Sequence, residues 1–288
     1  MTFQSRLLGG AALAAALSLF VAVYARVFTD LAGVWTADAN YSHAPLMLPV
    51  IAYLIWTRRQ ELGAEPLRPG NSGLVLIAAS LIVFLLGTAG VEFFLMRVSA
   101  VGVIAGAIVF VAGWRWLRLL LFPLSLTGLM IPIPPVLFYQ AAFPLQLLAT
   151  KFGVLSLRVL DIPVLREGNV ITLAHTTLEV TEACSGIRSL VSLFSLAVLY
   201  GYFTDGRPGR TTLVALSSIP IAIVANGLRV AGTGIAAHYI GPAAATGFFH
   251  SFSGWLVFMT SFGLLLLVAG ALKRLPSLDM RQPQVSLT

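Results

Sequence analysis

Charged residues are scarce in this chain. Only 10% of its 288 residues are Asp, Glu, Lys or Arg, whereas about a quarter are charged in soluble globular domains. Hydrophobic residues make up 58%, so an ordinary water-soluble fold is excluded. The formal net charge of +7 is not gathered in a basic tail or block, and we therefore expect no nucleic-acid partner.

Cysteine is nearly absent as well. Cys184 is the single cysteine, so no disulfide can form within the chain. It is a free thiol, a metal ligand, a small buried hydrophobic group or a nucleophile. No His-x-x-x-His pair, phosphate-binding glycine loop or cluster of carboxylates accompanies it. We therefore expect no cofactor and no metal, and the scattered carboxylates argue against a metal-dependent, lipid-linked transferase.

Long hydrophobic runs, in contrast, are frequent. A helix needs about 20 apolar residues to cross the hydrocarbon core of a bilayer. We predict an all-α polytopic membrane protein with about eight transmembrane helices, a single domain over 1–288 with a polar cytoplasmic tail at 275–288. The first run, of about 22 residues, exceeds the core of a signal peptide and is interpreted as a retained span. The predicted spans are 7–28, 41–57, 73–93, 97–114, 117–134, 184–203, 212–237 and 247–272.

Basic residues are distributed unevenly between the predicted loops. If the N-terminus is cytoplasmic, the segments on that side hold 11 of the 18 Lys and Arg residues and 4 of the 11 acidic residues. The entire net charge of +7 then lies on one side, as the positive-inside rule expects of the cytoplasmic face. We therefore expect both termini in the cytoplasm.

The segment between the fifth and sixth predicted spans has a different pattern. A proline-rich break at 131–135 is followed by polar residues at roughly helical spacing over 136–160. This pattern predicts an amphipathic helix in the outer interface, anchored by Tyr139 and Phe143. From Val164 to Val180 the residues alternate in character, which predicts a short β-hairpin that caps the outer face.

Three polar residues fall at similar depth in the predicted helices. Cys184 opens the sixth span and His250 opens the eighth. Arg229 lies about 17 residues along the seventh span, or about 25 Å from its cytoplasmic end. The topology therefore places all three in the outer third of the membrane, where ionisable side chains are costly and usually functional.

A thiol, an imidazole and a guanidinium that converge from three helices have a specific chemical use. A thiolate is a nucleophile, and an imidazole can take the thiol proton and later return it to a leaving amine. A guanidinium can stabilise the oxyanion of a tetrahedral intermediate or hold a substrate carboxylate. Together these groups describe acyl transfer at a peptide bond, and Gly186 would allow a backbone to approach the substrate closely.

Other interpretations stay open from the residues alone. A lone cysteine in a membrane helix is often a packing residue. Arg188 could simply pair with Glu179 or Glu182, because a buried arginine needs a partner. The same holds for Arg229. The rival functions are a transporter, for which we see no inverted repeat, and a polysaccharide-assembly protein in which Cys184 is structural.

Three motifs give the chain a resemblance to a known family. They are Ala183-Cys184-Ser185-Gly186, Asn226-Gly227-Leu228-Arg229, and His250 followed by Gly254-Trp255. In these motifs, and over almost the whole chain, the sequence resembles the exosortases and the related archaeosortases. The triplet Tyr41-Ser42-His43 agrees more loosely, since Ala44 stands where the family usually has Gly.

The resemblance implies a multi-pass cysteine protease or transpeptidase of the bacterial inner membrane, with its site at the periplasmic face. Its substrates would be secreted proteins that end in a Pro-Glu-Pro motif, a hydrophobic helix and basic residues. An amine from the envelope or from an exopolysaccharide is expected to accept the cleaved protein. The enzyme itself is expected to lie in the lipid bilayer. By resemblance, Cys184 is the nucleophile, His250 the acid and base, and Arg229 the stabiliser of the transition state. Supporting or substrate-binding roles are expected for Ser185, Gly186, Arg188, Glu182, Asn226 and His43.

Overall fold

The computed structural model describes residues 3–174, 176–180, 186–204, 207–241 and 247–274, without side-chain detail at 3–10, 12–13 and 247–251. Helices dominate these residues, as the predicted fold class requires. The chain divides into two compact units, Met1–Pro134 and Pro135–Thr288. The predicted cytoplasmic tail at 275–288 lies outside the described residues.

The described part of the first unit contains six helices. Short 3₁₀ turns at Ala39–Tyr41 and Thr127–Met130 precede the second helix and follow the sixth. Pro45 occupies the first turn of the second helix, where its missing N–H needs no partner. The helices are α1 Phe3–Ala37, α2 Ala44–Thr57, α3 Arg59–Ala64, α4 Ser72–Ala89, α5 Phe93–Val111 and α6 Trp114–Leu126.

Helices α4 and α5 pack backbone against backbone through small residues. A Cβ added at Gly106 would lie 2.9 Å from the carbonyl oxygen of Gly73 and 2.9 Å from the backbone nitrogen of Ile77. Gly102 faces the Ser80 hydroxyl in the same seam. Lipid supplies no hydrophobic drive between helices, so close contacts of this kind hold membrane helices together.

One end of the first unit is basic and is fastened by polar contacts. The Arg68 N–H donates to the carbonyl of Ala112 at 3.1 Å. The indole of Trp116 donates to the carbonyl of Glu65 at 3.2 Å, and the Glu65 carboxylate pairs with Arg115 at 3.4 Å. The segments before α4 and at the start of α6 therefore lie side by side, as a shared side of the membrane requires.

The opposite end is held by two hydrogen bonds that span long stretches of sequence. The Trp35 indole donates to the carbonyl of Met130 at 2.9 Å. The hydroxyl of the buried Tyr41 accepts from the N–H of Ile133 at 3.0 Å. The end of α1 and the turn before α2 are thus tied to the chain that follows α6.

The described part of the second unit contains four helices and a small sheet. Its elements are α7 Pro135–Val159, β1 Val164–Glu167, β2 Val170–Leu173, β3 Thr177–Glu179, α8 Ile187–Thr204, α9 Pro208–Tyr239 and α10 Gly247–Lys273. Helices α8 and α9, which are 18 and 32 residues long, pack against each other.

The sheet confirms the predicted hairpin and adds a third strand to it. Strands β1 and β2 pair in antiparallel fashion, with Glu167 opposite Val170. Gly168 begins the two-residue turn between them with φ +61°, a conformation that suits the first position of a type II′ turn. Strand β3 then pairs with the other side of β2, so the order is β1-β2-β3.

Helix α9 is the centre of the second unit. On one side, a hydrophobic core joins α9 to α7 and to the sheet, with Leu157, Ile171 and Val230 among its buried members. On the other side, a second core joins it to α8 and α10 through Leu193 and Leu265, which are fully buried. Every other helix of this unit therefore packs against α9.

Six helical segments of the described chain are long and apolar enough to cross a membrane. The predicted spans at 41–57 and 117–134 correspond to helices of only 14 and 13 residues. A seventh span results if Trp114–Met130 and Pro135–Val159 act as one, so the predicted number of about eight is approximate. The six segments are Ala14–Ala37, Ser72–Ala89, Phe93–Val111, Ile187–Thr204, Pro208–Tyr239 and Phe252–Lys273.

The seam between α4 and α5 gives the first testable prediction. Replacing Gly106→Ala should destabilise the protein by about 1–3 kcal/mol, because the methyl group would overlap the backbone of α4. Thermal unfolding of the detergent-solubilised protein, followed by tryptophan fluorescence, should show a lower midpoint. Gly33→Ala on α1 is the control, since a Cβ there meets no atom within 4 Å. Equal midpoints for the two variants would contradict this packing.

Candidate active site

The predicted site residues fall mainly in the second unit. Arg229 lies in α9 and His250 in the first turn of α10, where only the backbone of His250 is described. Cys184, Glu182 and Ser185 lie outside the described residues. The structure therefore locates the site through the residues that follow Cys184 and His250 and through Arg229 itself.

Gly186, two residues after Cys184, fixes the start of α8 against α9. Its φ of +81° is a conformation that favours glycine. A Cβ at this position would lie 2.8 Å from the Cβ and 2.9 Å from the Cγ of Asn226. The Gly186 carbonyl also accepts the first hydrogen bond of α8, from the N–H of Leu190 at 2.8 Å. The close approach that glycine permits here is therefore to Asn226, which is itself buried.

Gly254 allows a similarly close contact between α9 and α10. A Cβ at Gly254 would lie 3.2 Å from Nη2 and 3.4 Å from Cζ of Arg229. The guanidinium thus rests against the backbone of α10 in space that a side chain would occupy. Gly254 is four residues after His250, so the two positions lie on the same face of α10, one turn apart.

These two contacts converge on one face of α9. Asn226 and Arg229 are three residues apart, which places them on neighbouring turns of the same face, about 4.5 Å apart along the axis. Asn226 contacts Gly186, and Arg229 contacts Gly254 in α10, one turn after His250. The described residues Gly186 and Gly254, which follow two of the predicted catalytic positions in sequence, are therefore brought to the face of α9 that carries Arg229.

The adjacent side of α9, about 100° round the helix, is held equally closely by α7. A Cβ at Gly227 would lie 2.8 Å from Cγ of Phe152, and one at Gly153 would lie 2.7 Å from Cγ1 of Val230. Val230, the neighbour of Arg229, belongs to the core beneath the sheet. The rotation of α9 about its axis, and with it the direction of Arg229, is set by packing on both sides.

Arg188 and His238 lie at other places in the second unit. Arg188 is exposed in the first turn of α8 and takes part in a polar contact of its own. His238 is half-buried near the end of α9 and packs edge-on against Tyr239, with ring centroids 4.8 Å apart. His238 follows Asn226 by 12 residues in α9 and therefore does not share its face of the helix.

His43 belongs to the first unit. It precedes α2 and lies beside Tyr41, with ring centroids 6.5 Å apart. Both of its ring nitrogens are buried, and neither makes a hydrogen bond to the residues that the structure describes.

Sequence reasoning did not assign a role to Gly254 or to Val230. Gly254 belongs to the motif that follows His250, and its spacing of four residues from His250 is a signal that the two share a helical face. No such signal marks Val230, which is one of many apolar residues in a membrane helix. Its importance comes from the tertiary packing of α7 and the sheet.

The long apolar helices define a multi-pass membrane protein. The family model for the transmembrane exosortase (Exosortase_EpsH) matches residues 35–267, which is most of the chain. The chain therefore belongs to the transmembrane exosortase family. Comparison with curated proteins and with solved structures gives no match. Family membership supports a general role as a membrane transpeptidase that processes secreted proteins.

The contact between Gly254 and Arg229 yields a prediction about activity. Gly254→Ala should lower turnover by roughly tenfold or more, because the methyl group displaces the guanidinium by a fraction of an ångström. Processing of a substrate protein in membranes is the measurement, and thermal unfolding monitors the fold.

Gly263→Ala is the matched control on the same helix, since a Cβ there has no atom within 4 Å. It should retain the turnover of the unaltered protein. If both variants were equally active, Arg229 would not depend on its place against α10.

Proposed function

We propose that this exosortase is a membrane-embedded cysteine transpeptidase or endopeptidase that removes the C-terminal sorting signal of secreted proteins. The signal is a Pro-Glu-Pro motif, a hydrophobic helix and basic residues, and processing leads to attachment at the surface or to exopolysaccharide. Cys184 is the nucleophile, His250 the acid and base, and Arg229 the stabiliser of the transition state. No cofactor takes part.

The convergence on α9 is the observation that carries this proposal. Cys184 has only Ser185 between it and Gly186, and Gly186 is pressed against Asn226. His250 is one turn from Gly254, and Gly254 is covered by the Arg229 guanidinium. The chain that follows each of these two positions therefore contacts α9 at Arg229 or within one turn of it, as a shared site requires.

The chemistry divides peptide cleavage into two steps. The Cys184 thiol gives its proton to the His250 imidazole, and the thiolate sulfur attacks the carbonyl carbon of the scissile bond. The oxyanion that forms is stabilised by the fixed positive charge of Arg229. His250 then returns the proton to the nitrogen of the released segment, which leaves a thioester on Cys184. Attack by water or by an envelope amine restores the thiol and completes hydrolysis or transfer.

Ser185 and Glu182 flank the nucleophile in this scheme and act as supporting residues, as do Gly186 and Asn226. Asn226 holds the start of α8 in place through its contact with Gly186. Arg188 and His43 are assigned to substrate binding rather than to the chemical steps.

The proposed location is the inner membrane, with both termini in the cytoplasm and the site at the periplasmic face. Support comes from the positive-inside bias of the sequence. In the first unit, Arg68 and Arg115 lie at the same end, where Arg68 bonds to the turn before α6 and Arg115 pairs with Glu65. A sorting signal that has been partly secreted would present its cleavage site at the opposite face.

A coexpression experiment tests the proposed function. A secreted reporter with a Pro-Glu-Pro, hydrophobic-helix and basic tail should lose that tail when it is coexpressed with the intact chain. Cys184→Ala and the near-isosteric Cys184→Ser should both leave it uncut, because neither side chain provides a thiolate. The mass of the reporter gives the cut site, and any added mass identifies transfer to an amine.

Expression of each variant at equal level in the membrane is the control for this experiment. Loss of the tail in cells that carry Cys184→Ala would show that the cysteine is not the nucleophile. A reporter that stayed intact with every tail tried would support the transporter and assembly interpretations instead.

The role of Arg229 can be tested separately. Arg229→Lys keeps the positive charge but loses the planar fork of donors, so turnover should fall by about 10²–10³ while the fold persists. Arg158→Lys, at an exposed position near the end of α7, is the matched control and should be fully active. Normal turnover in Arg229→Lys would contradict a role in transition-state stabilisation and would assign Arg229 to packing alone.

A further inference from the structure

The sheet has two edges with different surroundings. On β1, the Arg166 side chain donates to the carbonyl of Gly168 at 2.9 Å and to that of Leu147 in α7 at 3.5 Å. This edge therefore lies beside α7. Strand β3 forms the other edge, and β2 is its strand partner in the described sheet.

The register shows which backbone groups of β3 point outward. The N–H of Leu173 donates to the carbonyl of Thr176, and the N–H of Val180 donates to the carbonyl of Asn169. In an antiparallel pair the bonded residues alternate, so Leu178 carries the bonds to β2 opposite Ile171. The backbone N–H and C=O groups of Thr177 and Glu179 are directed away from β2.

These outward groups have no partner among the residues that the structure describes. Within the described parts of the chain, Thr177 and Glu179 make no backbone hydrogen bond on this side, and both residues are exposed. An edge strand with unpaired groups is a ready template for another extended chain. The edge thus offers two donors and two acceptors at alternate positions.

The edge is also firmly supported and close in sequence to the nucleophile. Ile171, Leu173 and Val180 are buried in the core that contains Val230, the neighbour of Arg229. From Glu179 the chain reaches Cys184 in five residues, at most about 17 Å when extended. The strand leads directly into the segment that holds the proposed nucleophile.

We propose that the polypeptide substrate binds along the open edge of β3 as an additional strand, and that this pairing presents its scissile bond to Cys184. The inference rests on the proposed function for its substrate, an extended peptide segment on the amino-terminal side of the Pro-Glu-Pro motif. Main-chain pairing gives affinity that does not depend on side chains. One site could thereby accept many secreted proteins that share only a short motif.

Backbone methylation of the substrate tests this mode of binding. Synthetic tail peptides carry a single N-methyl group at successive positions before the Pro-Glu-Pro motif. Strand pairing predicts a period of two, in which methylation at alternate positions raises KM by about 5- to 30-fold and methylation between them has little effect. Sensitivity without this alternation, or none at all, would overturn the inference.

Binding of the same peptides to the Cys184→Ala protein separates the two hypotheses. Alternating loss of affinity with no cleavage by the unaltered protein would contradict the proposed function and retain the strand site. Normal cleavage by the unaltered protein without alternation in either assay would contradict the strand site alone.

A variant pair tests the protein side of the same contact. Glu179→Pro removes an outward N–H, and proline is tolerated on edge strands. It should raise KM for the unmethylated peptide by about 5- to 30-fold with kcat nearly unchanged. Glu179→Val keeps the N–H and removes only the carboxylate, so it measures the contribution of the side chain, and its KM should lie well below that of Glu179→Pro. An equal rise in KM for both variants would assign the effect to the lost carboxylate and contradict backbone pairing.

Discussion

The second unit depends on how closely α9 approaches its neighbours. Inside a bilayer, apolar side chains gain little by leaving lipid for one another, so helices associate through tight van der Waals contact. Gly153 and Gly227 bring α7 to one side of α9, and Gly186 and Gly254 bring α8 and α10 to the other. If larger residues replaced these four glycines, the helices would stand further apart. Asn226 and Arg229 would then lose their contacts with α8 and α10.

The same contacts explain how a charged residue is accommodated in the interior of the second unit. Arg229 rests against bare backbone at Gly254, and its neighbour Val230 is buried in the core beneath the sheet. The guanidinium is therefore oriented by packing as well as by polar partners. An oriented charge needs little reorganisation when an oxyanion develops, which is the usual source of electrostatic catalysis.

Much of the fold could be predicted from the sequence. Apolar runs of sufficient length predict the six long segments, and alternation over Val164–Val180 predicts paired strands. The short helices at Ala44–Thr57 and Trp114–Leu126 were harder, because apolar composition does not reveal where proline and the 3₁₀ turns interrupt a helix. The third strand was missed because β3 has only three residues, too few for a periodicity to register.

In the candidate site, too, the sequence predicts some features and only the structure reveals others. Depth along the predicted helices groups Cys184, Arg229 and His250 as a hypothesis, since a helix has a fixed rise per residue. It was not enough to reveal that Gly186 meets Asn226 or that Gly254 meets Arg229. Such contacts depend on how each helix is rotated about its axis, and an apolar helix in lipid gives little sequence signal for its rotation.

Val230 couples the proposed site to the hydrophobic core directly beneath it. Its side chain faces Gly153 and the sheet, while the adjacent Arg229 faces α10. A larger or smaller residue at 230 would turn α9 by a few degrees, and the guanidinium at 229 would swing with it. Laboratory evolution toward a more heat-resistant enzyme would consequently gain little from substitutions at this position, although it is apolar and buried.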